Sequence, residues 1–457
     1  MNVMRRWLQI LPVLTAAPLA WGQTQAFNSF NPLSSSANGF HLYGVSVYGA
    51  YYNNGTPFGL DTTTFNPYQS SSGVGVLGVA ANLGWSKSTD RATASIVYSP
   101  SYVGSPSNSQ YNEFSQRAAI NWSQKIGNAW SFGFSASGML TNYEQLFFSP
   151  SALGSAAASS ATFEDLASSS FTGKTSNTQL APVLAGSQLA SAPEQSFLYG
   201  NRLLSAGSAI SLTYSPHGRS SLQVSLSGAR TQNYQDNVSG SAENASNFVL
   251  VPKSTSADVM LTYSYSISPR TQIGFTASSM RVWSSYVRGF TSQGSFTLAR
   301  TLTPHWFVNL HGGVGVITYS QSQFPQSSTP QSLGGGSLGY KVLSHTFLAS
   351  FERTIGDFYG LGASTTNGFN AAWNWRRPGS AWSLFAGGGY QQLSGSVFVN
   401  TTSWRASAGV ARALGRHFFM DVQYGYFQIP SNLAASGARI DESGIIVSAT
   451  WSPSSYR

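Results

Sequence analysis

The stretch WSFGFSASGMLTN, residues 130–142, decides how this chain folds. Its large apolar residues Trp130, Phe132 and Phe134 are separated by single serine or glycine residues. Successive side chains of a β-strand point to opposite faces. The stretch therefore predicts a strand with one apolar face and one face compatible with water.

The same two-residue period recurs along the chain. Residues 305–319 place Trp306 and Val308 on one face and Asn309 and His311 on the other. Tight turns and longer loops alternate between these segments, which is typical of a transmembrane β-barrel and not of a soluble sandwich. The predicted turns are Ser88–Asp90, Ile126–Asn128, Pro216–Gly218, Ser268–Arg270, Thr303–His305, Ser344–His345, Pro378–Ser380 and Leu414–Arg416.

We predict an all-β, up-and-down transmembrane barrel of about 18 antiparallel strands. An alternative is about 16 strands, because Gly334–Gly336 weakens the segments at 331–343 and 346–356. A soluble two-sheet sandwich has the same period, but here Trp residues cluster beside the turns and Tyr residues beside the loops, as membrane girdles require. The outer loops are predicted near residues 53–72, 144–201, 234–253 and 320–330.

The N-terminus has the pattern of a secretory signal peptide. Arg5 and Arg6 precede an apolar stretch from Trp7 to Ala20, and small residues at Ala20 and Gly22 fit a cleavage site. The apolar stretch is too short to cross a membrane as a helix. The predicted division is a signal peptide at 1–22, a periplasmic lead at 23–39, a barrel at 40–451 and a tail at 452–457.

Composition also favours a membrane barrel. Charged residues make up 9% of the chain and aromatic residues 14%, whereas soluble domains have about 25% charged residues. The net charge of +9 is not gathered into a basic motif, so we expect no nucleic-acid partner and instead expect basic residues to meet lipid head groups. Cysteine is absent from the sequence, so no disulfide forms.

The final segment, residues 442–451, reads ESGIIVSATW. It resembles the C-terminal signal that the barrel-assembly machinery reads, with alternating apolar positions that end in an aromatic residue. Nearly all of the mature sequence resembles bacterial porins and related outer-membrane barrels. This resemblance implies a location in the outer membrane of a Gram-negative bacterium and contact with outer-membrane lipid.

In general porins the loop after the fifth strand folds inward and narrows the channel, and here that loop is residues 144–201. The resemblance therefore implies a pore constriction that carries Glu164 and Asp165. The alternative is an external loop. Strand parity predicts further charges on the lumen wall, which would influence ion preference. They are Glu113, Arg117, Lys125, Asp258, Lys341, Glu352, Arg376, Arg405, Asp421 and Glu442.

Five arginines fall on the opposite parity, near strand ends, where a long side chain can reach the head groups. We predict that they anchor the barrel in the membrane. They are Arg230, Arg281, Arg300, Arg353 and Arg412.

Catalytic chemistry has little support in the sequence. His311 is predicted in the middle of a strand on the lumen side, where a polar wall residue is favoured over a catalytic base. No His, Asp or Glu set has the spacing of a metal site, and no glycine-rich phosphate cradle precedes a helix. We therefore predict a non-enzyme with no cofactor, no catalytic residues and no bound metal.

The leading hypothesis is a channel for passive diffusion of small hydrophilic solutes, because 16 to 18 strands leave an aqueous lumen. One alternative is the outer barrel of an exopolysaccharide-export system, since a wall of serine, asparagine and glutamine would let a sugar chain slide. A structural or adhesive barrel is another. The sequence leaves open whether the barrel forms a homo-oligomer.

Overall fold

Each strand of the protein forms a ladder with the strand before it and the strand after it, as a computed structural model shows. The structure describes residues 38–53, 73–106, 113–142, 202–233, 253–284, 287–321, 324–357, 363–377, 379–395, 401–430, 439–451 and 453. The predicted signal peptide and the predicted constriction residues Glu164 and Asp165 lie outside these ranges.

The described residues form strands of 13 to 19 residues. The strands are β1 (Gly39–Tyr52), β2 (Val74–Ser88), β3 (Ala92–Gly104), β4 (Glu113–Ile126), β5 (Trp130–Asn142), β6 (Arg202–His217), β7 (Ser220–Asn233), β8 (Ser254–Ser268), β9 (Thr271–Ser284), β10 (Val287–Thr303), β11 (Trp306–Gln321), β12 (Phe324–Val342), β13 (His345–Asp357), β14 (Ala363–Arg376), β15 (Trp382–Gly395), β16 (Thr401–Ala413), β17 (Phe418–Pro430) and β18 (Arg439–Trp451).

The sheet closes on itself because β1 also pairs with β18. Their antiparallel register runs from Val45 opposite Trp451 to Tyr52 opposite Gly444. The predicted barrel is therefore confirmed with 18 strands, and both the 16-stranded barrel and the two-sheet sandwich are excluded. The two strands that the glycine run made uncertain are β12 and β13. We call the end with the predicted tight turns the turn end and the opposite end the loop end.

Large apolar side chains cover the outer face of the strands, whereas many polar side chains on the inner face are buried, the reverse of a soluble protein. On the outer face, Phe296 is 70% exposed and Val314 67% exposed. On the inner face, Ser95 is 0% and Ser254 1% exposed. A closed barrel satisfies its backbone groups internally and can therefore cross a bilayer with such a surface. The protein is therefore a transmembrane β-barrel.

Aromatic side chains line the outer face near the turn end. Trp130 packs against Tyr214 with ring centroids 4.5 Å apart. The Arg412 guanidinium lies 4.7 Å from the centre of the Trp382 ring, a cation–π contact. These amphipathic groups suit the level of the lipid head groups.

One loop prediction was wrong. Residues 320–330 were expected to form an outer loop, but β11 continues to Gln321 and β12 begins at Phe324. The two strands pair as far as Gln321 opposite Phe324. The serine, glutamine and proline residues of this stretch suggested a loop, and pairing with β11 holds them in a strand instead.

None of the described residues belongs to a helix that is long and apolar enough to cross a membrane.

Candidate channel lumen and a seam in its wall

The inner face of β6–β10 is lined by small hydroxyl side chains, and we call it the hydroxyl wall. These side chains are held close to the backbone, and Ser221 and Ser264 pair at 2.7 Å between their hydroxyl oxygens. Such a wall carries many small groups that can form hydrogen bonds. Its buried hydroxyl residues are Ser205, Ser211, Ser225, Thr231, Ser254, Ser264, Ser278 and Thr291.

Large aromatic residues on the inner face lie flat against it. The Phe307 ring lies across Gly339, its direct partner on the next strand, and a Cβ atom at Gly339 would overlap the ring. Tyr48 lies over Gly78 in the same way. Because glycine has no side chain, these rings can lie along the wall instead of projecting into the lumen.

The structure places most of the predicted lumen charges on the inner face. Arg117, Lys125, Asp258, Lys341, Glu352 and Asp421 share the face of the buried wall residues. Ser448 donates a hydrogen bond to the Asp421 carboxylate. Arg376 ends β14 with an exposed side chain. Glu113, Arg405 and Glu442 lie in β4, β16 and β18, and their side chains are outside the described part of the structure.

His311 and Glu352 meet on the inner face although their strands are not neighbours. The His311 Nε2 and Glu352 Oε1 atoms are 3.0 Å apart, and both side chains are mostly buried. Gly335 on β12 lies between them in register. A Cβ atom there would lie 2.8 Å from Glu352 Oε2 and 2.9 Å from His311 Cε1, so glycine is needed to let this pair bridge two strands.

The backbone ladder between β12 and β13 stops just beyond this pair. It runs from Val342 opposite His345 to Gly334 opposite Arg353 and extends no further among the described residues. β13 nevertheless continues to pair with β14 as far as Asp357 opposite Ala363. The loop end of the β13–β14 pair has therefore separated from β12.

Side-chain burial shows where the loop end of the β13–β14 pair lies. Ile355 and Thr365 have the same parity as the exposed Phe351 and Phe369, which lie on the outer face. Ile355 is nevertheless only 4% exposed. The loop end of the β13–β14 pair has moved inward, so its outer face now covers the inner face of β11 and β12.

The overlap has an apolar centre. Ile355 packs with Ile317 and Leu333, which are both inner-face residues. The Cδ1 atom of Ile355 occupies the space that a Cβ atom of Gly315 would fill. We call this overlap of residues 353–356 and 365 on β11–β12 the seam.

Two side-chain hydrogen bonds cross the seam. Thr365 on β14 donates to the Gln331 side chain on β12. Arg353 Nε donates to the Ser332 carbonyl oxygen at 3.0 Å. This acceptor lies on the part of β12 that has no ladder with β13.

Arg353 has the outer-face parity of the predicted lipid anchors, still pairs with Gly334, and also donates from Nε to the Ser332 carbonyl oxygen. Its anchoring role stays a prediction. Arg230, Arg281, Arg300 and Arg412 are exposed on the outer face as predicted from parity. Their anchoring role stays a prediction.

The seam narrows the loop end of the lumen, because the displaced ends of β13 and β14 lie inside the barrel there. The inward face of the displaced pair presents Thr354, Gly356 and Thr366, which are small and compatible with water. Among the described residues no group of three or more His, Cys, Asp or Glu side chains is placed to hold a metal ion.

No protein-family model and no curated protein matches this chain. Solved structures with a similar fold include OccK9 (OpdG) from Pseudomonas aeruginosa, with a TM-score of 0.44, 10% identity and coverage of 90% of this chain and 98% of that chain. A BenF-like porin from Pseudomonas fluorescens Pf-5 has a TM-score of 0.44, 9% identity and coverage of 90% and 98%. OpdO from Pseudomonas aeruginosa has a TM-score of 0.43, 11% identity and coverage of 91% and 98%.

Proposed function

We propose that the protein is a passive outer-membrane channel for small hydrophilic solutes. The observation that carries this proposal is a closed barrel of 18 strands whose inner face is hydroxyl-rich and charged while its outer face is apolar. Barrels of 16 to 18 strands are wide enough to enclose an aqueous lumen. A polar wall lets solutes exchange hydrogen bonds with water and protein as they pass.

Purified protein in planar bilayers tests this proposal. We expect stepwise increases in conductance and, in liposomes, swelling in isotonic solutions of small neutral sugars. A boiled sample, in which the barrel is unfolded, serves as the control. Folded protein that inserts into bilayers without conductance or swelling would overturn the proposal.

Export of a polysaccharide is a second candidate function, favoured by the hydroxyl wall. A long chain could slide along such a surface without being caught on projecting groups. A gene deletion separates the two functions. Loss of surface polysaccharide with normal solute uptake favours export, whereas the reverse result favours the channel.

The same proposal includes a constriction by the loop at 144–201, with Glu164 and Asp165 in the ion path, and recognition of β18 by the barrel-assembly machinery. The position of β18 supports its recognition by the barrel-assembly machinery, because β18 forms the closing ladder with β1. Trp451, opposite Val45 in that ladder, takes the place of the terminal aromatic residue in the segment that resembles the assembly signal. Replacing Trp451 with Ser is expected to lower the yield of assembled barrel in cells, measured as the heat-modifiable fraction on gels.

A further inference from the structure

Charged residues are sorted along the barrel axis. The strand ends and turns at the turn end carry many basic residues, and Asp90 and Asp421 are the acidic residues among them within the described ranges. The other acidic residues of the described strands lie at positions toward the loop end. The basic residues at the turn end are Lys87, Arg91, Lys125, Arg219, Arg270, Arg300, Lys341, Arg376, Arg377, Arg412 and Arg416.

The sorting holds on the inner face, where lipid cannot account for it. Lys125 and Lys341 lie one residue from the turn ends of β4 and β12, and Arg376 is the last residue of β14. Asp421 is the acidic inner-face residue in this half, and its carboxylate accepts a hydrogen bond from Ser448. The turn half of the lumen is therefore basic.

The loop half of the lumen has the opposite tendency. Asp258 is the fifth residue of β8, counted from its loop end, and Glu352 lies just beyond the middle of β13. Glu113 and Glu442 stand in the loop halves of β4 and β18. Arg117 and Arg405 are the basic residues at inner-face positions of these halves, so the acidic positions outnumber the basic ones.

We propose that this lumen is bipolar and therefore conducts ions asymmetrically, passing more current when the loop side is electrically positive than when it is negative. The proposal rests on the channel function proposed above. It assigns to that channel a preferred direction of ion flow and an orientation for dipolar solutes, with the anionic end of the solute toward the turn end.

The sign follows from where each ion is concentrated. Anions gather in the basic turn half and cations in the acidic loop half, because fixed charges attract counter-ions. When the loop side is positive, cations move from the loop half and anions from the turn half toward the middle of the lumen. Both carriers then accumulate and the current rises. The opposite voltage drains both carriers from the middle, so the current falls.

Ionic strength gives the first test. The Debye length is about 10 Å at 0.1 M salt and about 3 Å at 1 M, so wall charges control the lumen only in the dilute solution. We expect currents at equal and opposite voltages to differ about twofold in 0.1 M potassium chloride and to be nearly equal in 1 M. An impermeant thiol reagent that reacts with an Asn128→Cys variant from one side identifies the turn end.

Two matched triple variants give the second test. The inner variant Lys125→Gln, Lys341→Gln and Arg376→Gln removes three positive charges from the turn half of the lumen. The outer variant removes the same number of positive charges from the lipid-facing side of the turn end. It combines Lys87→Gln, Arg300→Gln and Arg412→Gln, all at exposed positions of outer-face parity.

We expect the inner variant to abolish most of the current asymmetry and the outer variant to retain it. Equal currents from the unaltered protein in 0.1 M salt would overturn the bipolar lumen and leave the channel intact. Loss of asymmetry in the outer variant alone would also overturn it. Absence of any current would instead contradict the channel function itself.

Discussion

The hydroxyl wall and the seam are both inner surfaces of one barrel, but they are held by different interactions. Across β6–β10 each strand keeps its ladder over nearly its whole length, as in β8–β9 from Ser254 opposite Ser284 to Ser268 opposite Thr271. At the seam the ladder ends at Gly334, and side chains hold the two layers together. Backbone ladders fix the diameter of a barrel, so the seam is where side-chain changes can alter the lumen.

The largest expected effect concerns the loop at 144–201, because it decides whether the seam is the narrowest part of the lumen. If this loop folds inward, removing residues 155–190 raises single-channel conductance severalfold. The double variant Glu164→Gln and Asp165→Asn shifts the reversal potential toward anions, since these charges would lie within a Debye length of about 8 to 10 Å of the ion path. Conductance and reversal potential are both measured in planar bilayers.

If neither quantity changes, the loop lies outside the ion path and the seam becomes the leading candidate for the constriction. This result would decide between the loop and the seam as the constriction. The barrel itself would remain intact, because the deletion leaves every described strand in place.

The next effect tests the seam directly. A valine at Gly315 would occupy the space of the Ile355 side chain, and overpacking of this kind costs about 1–3 kcal/mol. We expect Gly315→Val to displace the loop end of β13–β14 and to raise the conductance. Adding Ile355→Ala makes room for the valine side chain and should restore the original conductance.

A matched control is Gly425→Val, because a Cβ atom at this inner-face glycine would meet nothing within 4 Å. An equal rise in conductance for both glycine variants would mean that the overlap at Ile355 does not narrow the lumen.

Much of this architecture could be predicted from the sequence because a barrel imposes one period on every strand. The alternation at 130–142 identified both faces of β5, and the eight tight turns located the ends of their strands. β12 was uncertain because Gly334–Gly336 has weak strand propensity, whereas pairing with β11 on one side and β13 on the other holds it in the sheet.

The seam could not be predicted in the same way. Ile355 and Arg353 have the parity of lipid-facing residues, and parity says nothing about whether a strand end leaves the wall. The contact of His311 with Glu352 depends on the register of three strands, which a single sequence does not provide. Gly315 and Gly335 were the available signals, because a glycine inside a strand often marks the close approach of another group.

A smaller effect is expected where the ladder ends. Glu352→Gln removes one negative charge from the lumen and keeps an oxygen that can accept a hydrogen bond from His311. We expect the reversal potential to shift toward anions, by less than in the loop variant if that loop is the constriction. The midpoint of urea unfolding should change little, because the contact between His311 and residue 352 is one hydrogen bond, and such a bond contributes about 0.5–1.5 kcal/mol to stability.

Asp258→Asn is the matched control, since it removes the same charge from the hydroxyl wall. A larger shift for Asp258→Asn than for Glu352→Gln would show that ions pass closer to the hydroxyl wall than to the seam.

The smallest expected effect lies at the opposite end of the same strand pair, where the ladder is intact. Leu343, in the turn between β12 and β13, has a φ angle of 52° and is 89% exposed. This left-handed conformation costs a non-glycine residue about 1–2 kcal/mol, while the greater chain entropy of glycine offsets about 0.5–1 kcal/mol. Leu343→Gly should therefore stabilise the barrel by about 0.5 kcal/mol, measured by urea unfolding in detergent. Ser344→Gly, at the neighbouring position without a positive φ angle, is expected to destabilise it slightly. This turn joins the two strands that separate at the seam, so the conductance of Leu343→Gly is also informative. Unchanged conductance would show that the intact ladder isolates the seam from the turn end. A changed conductance would show that the whole β12–β13 pair moves as one unit.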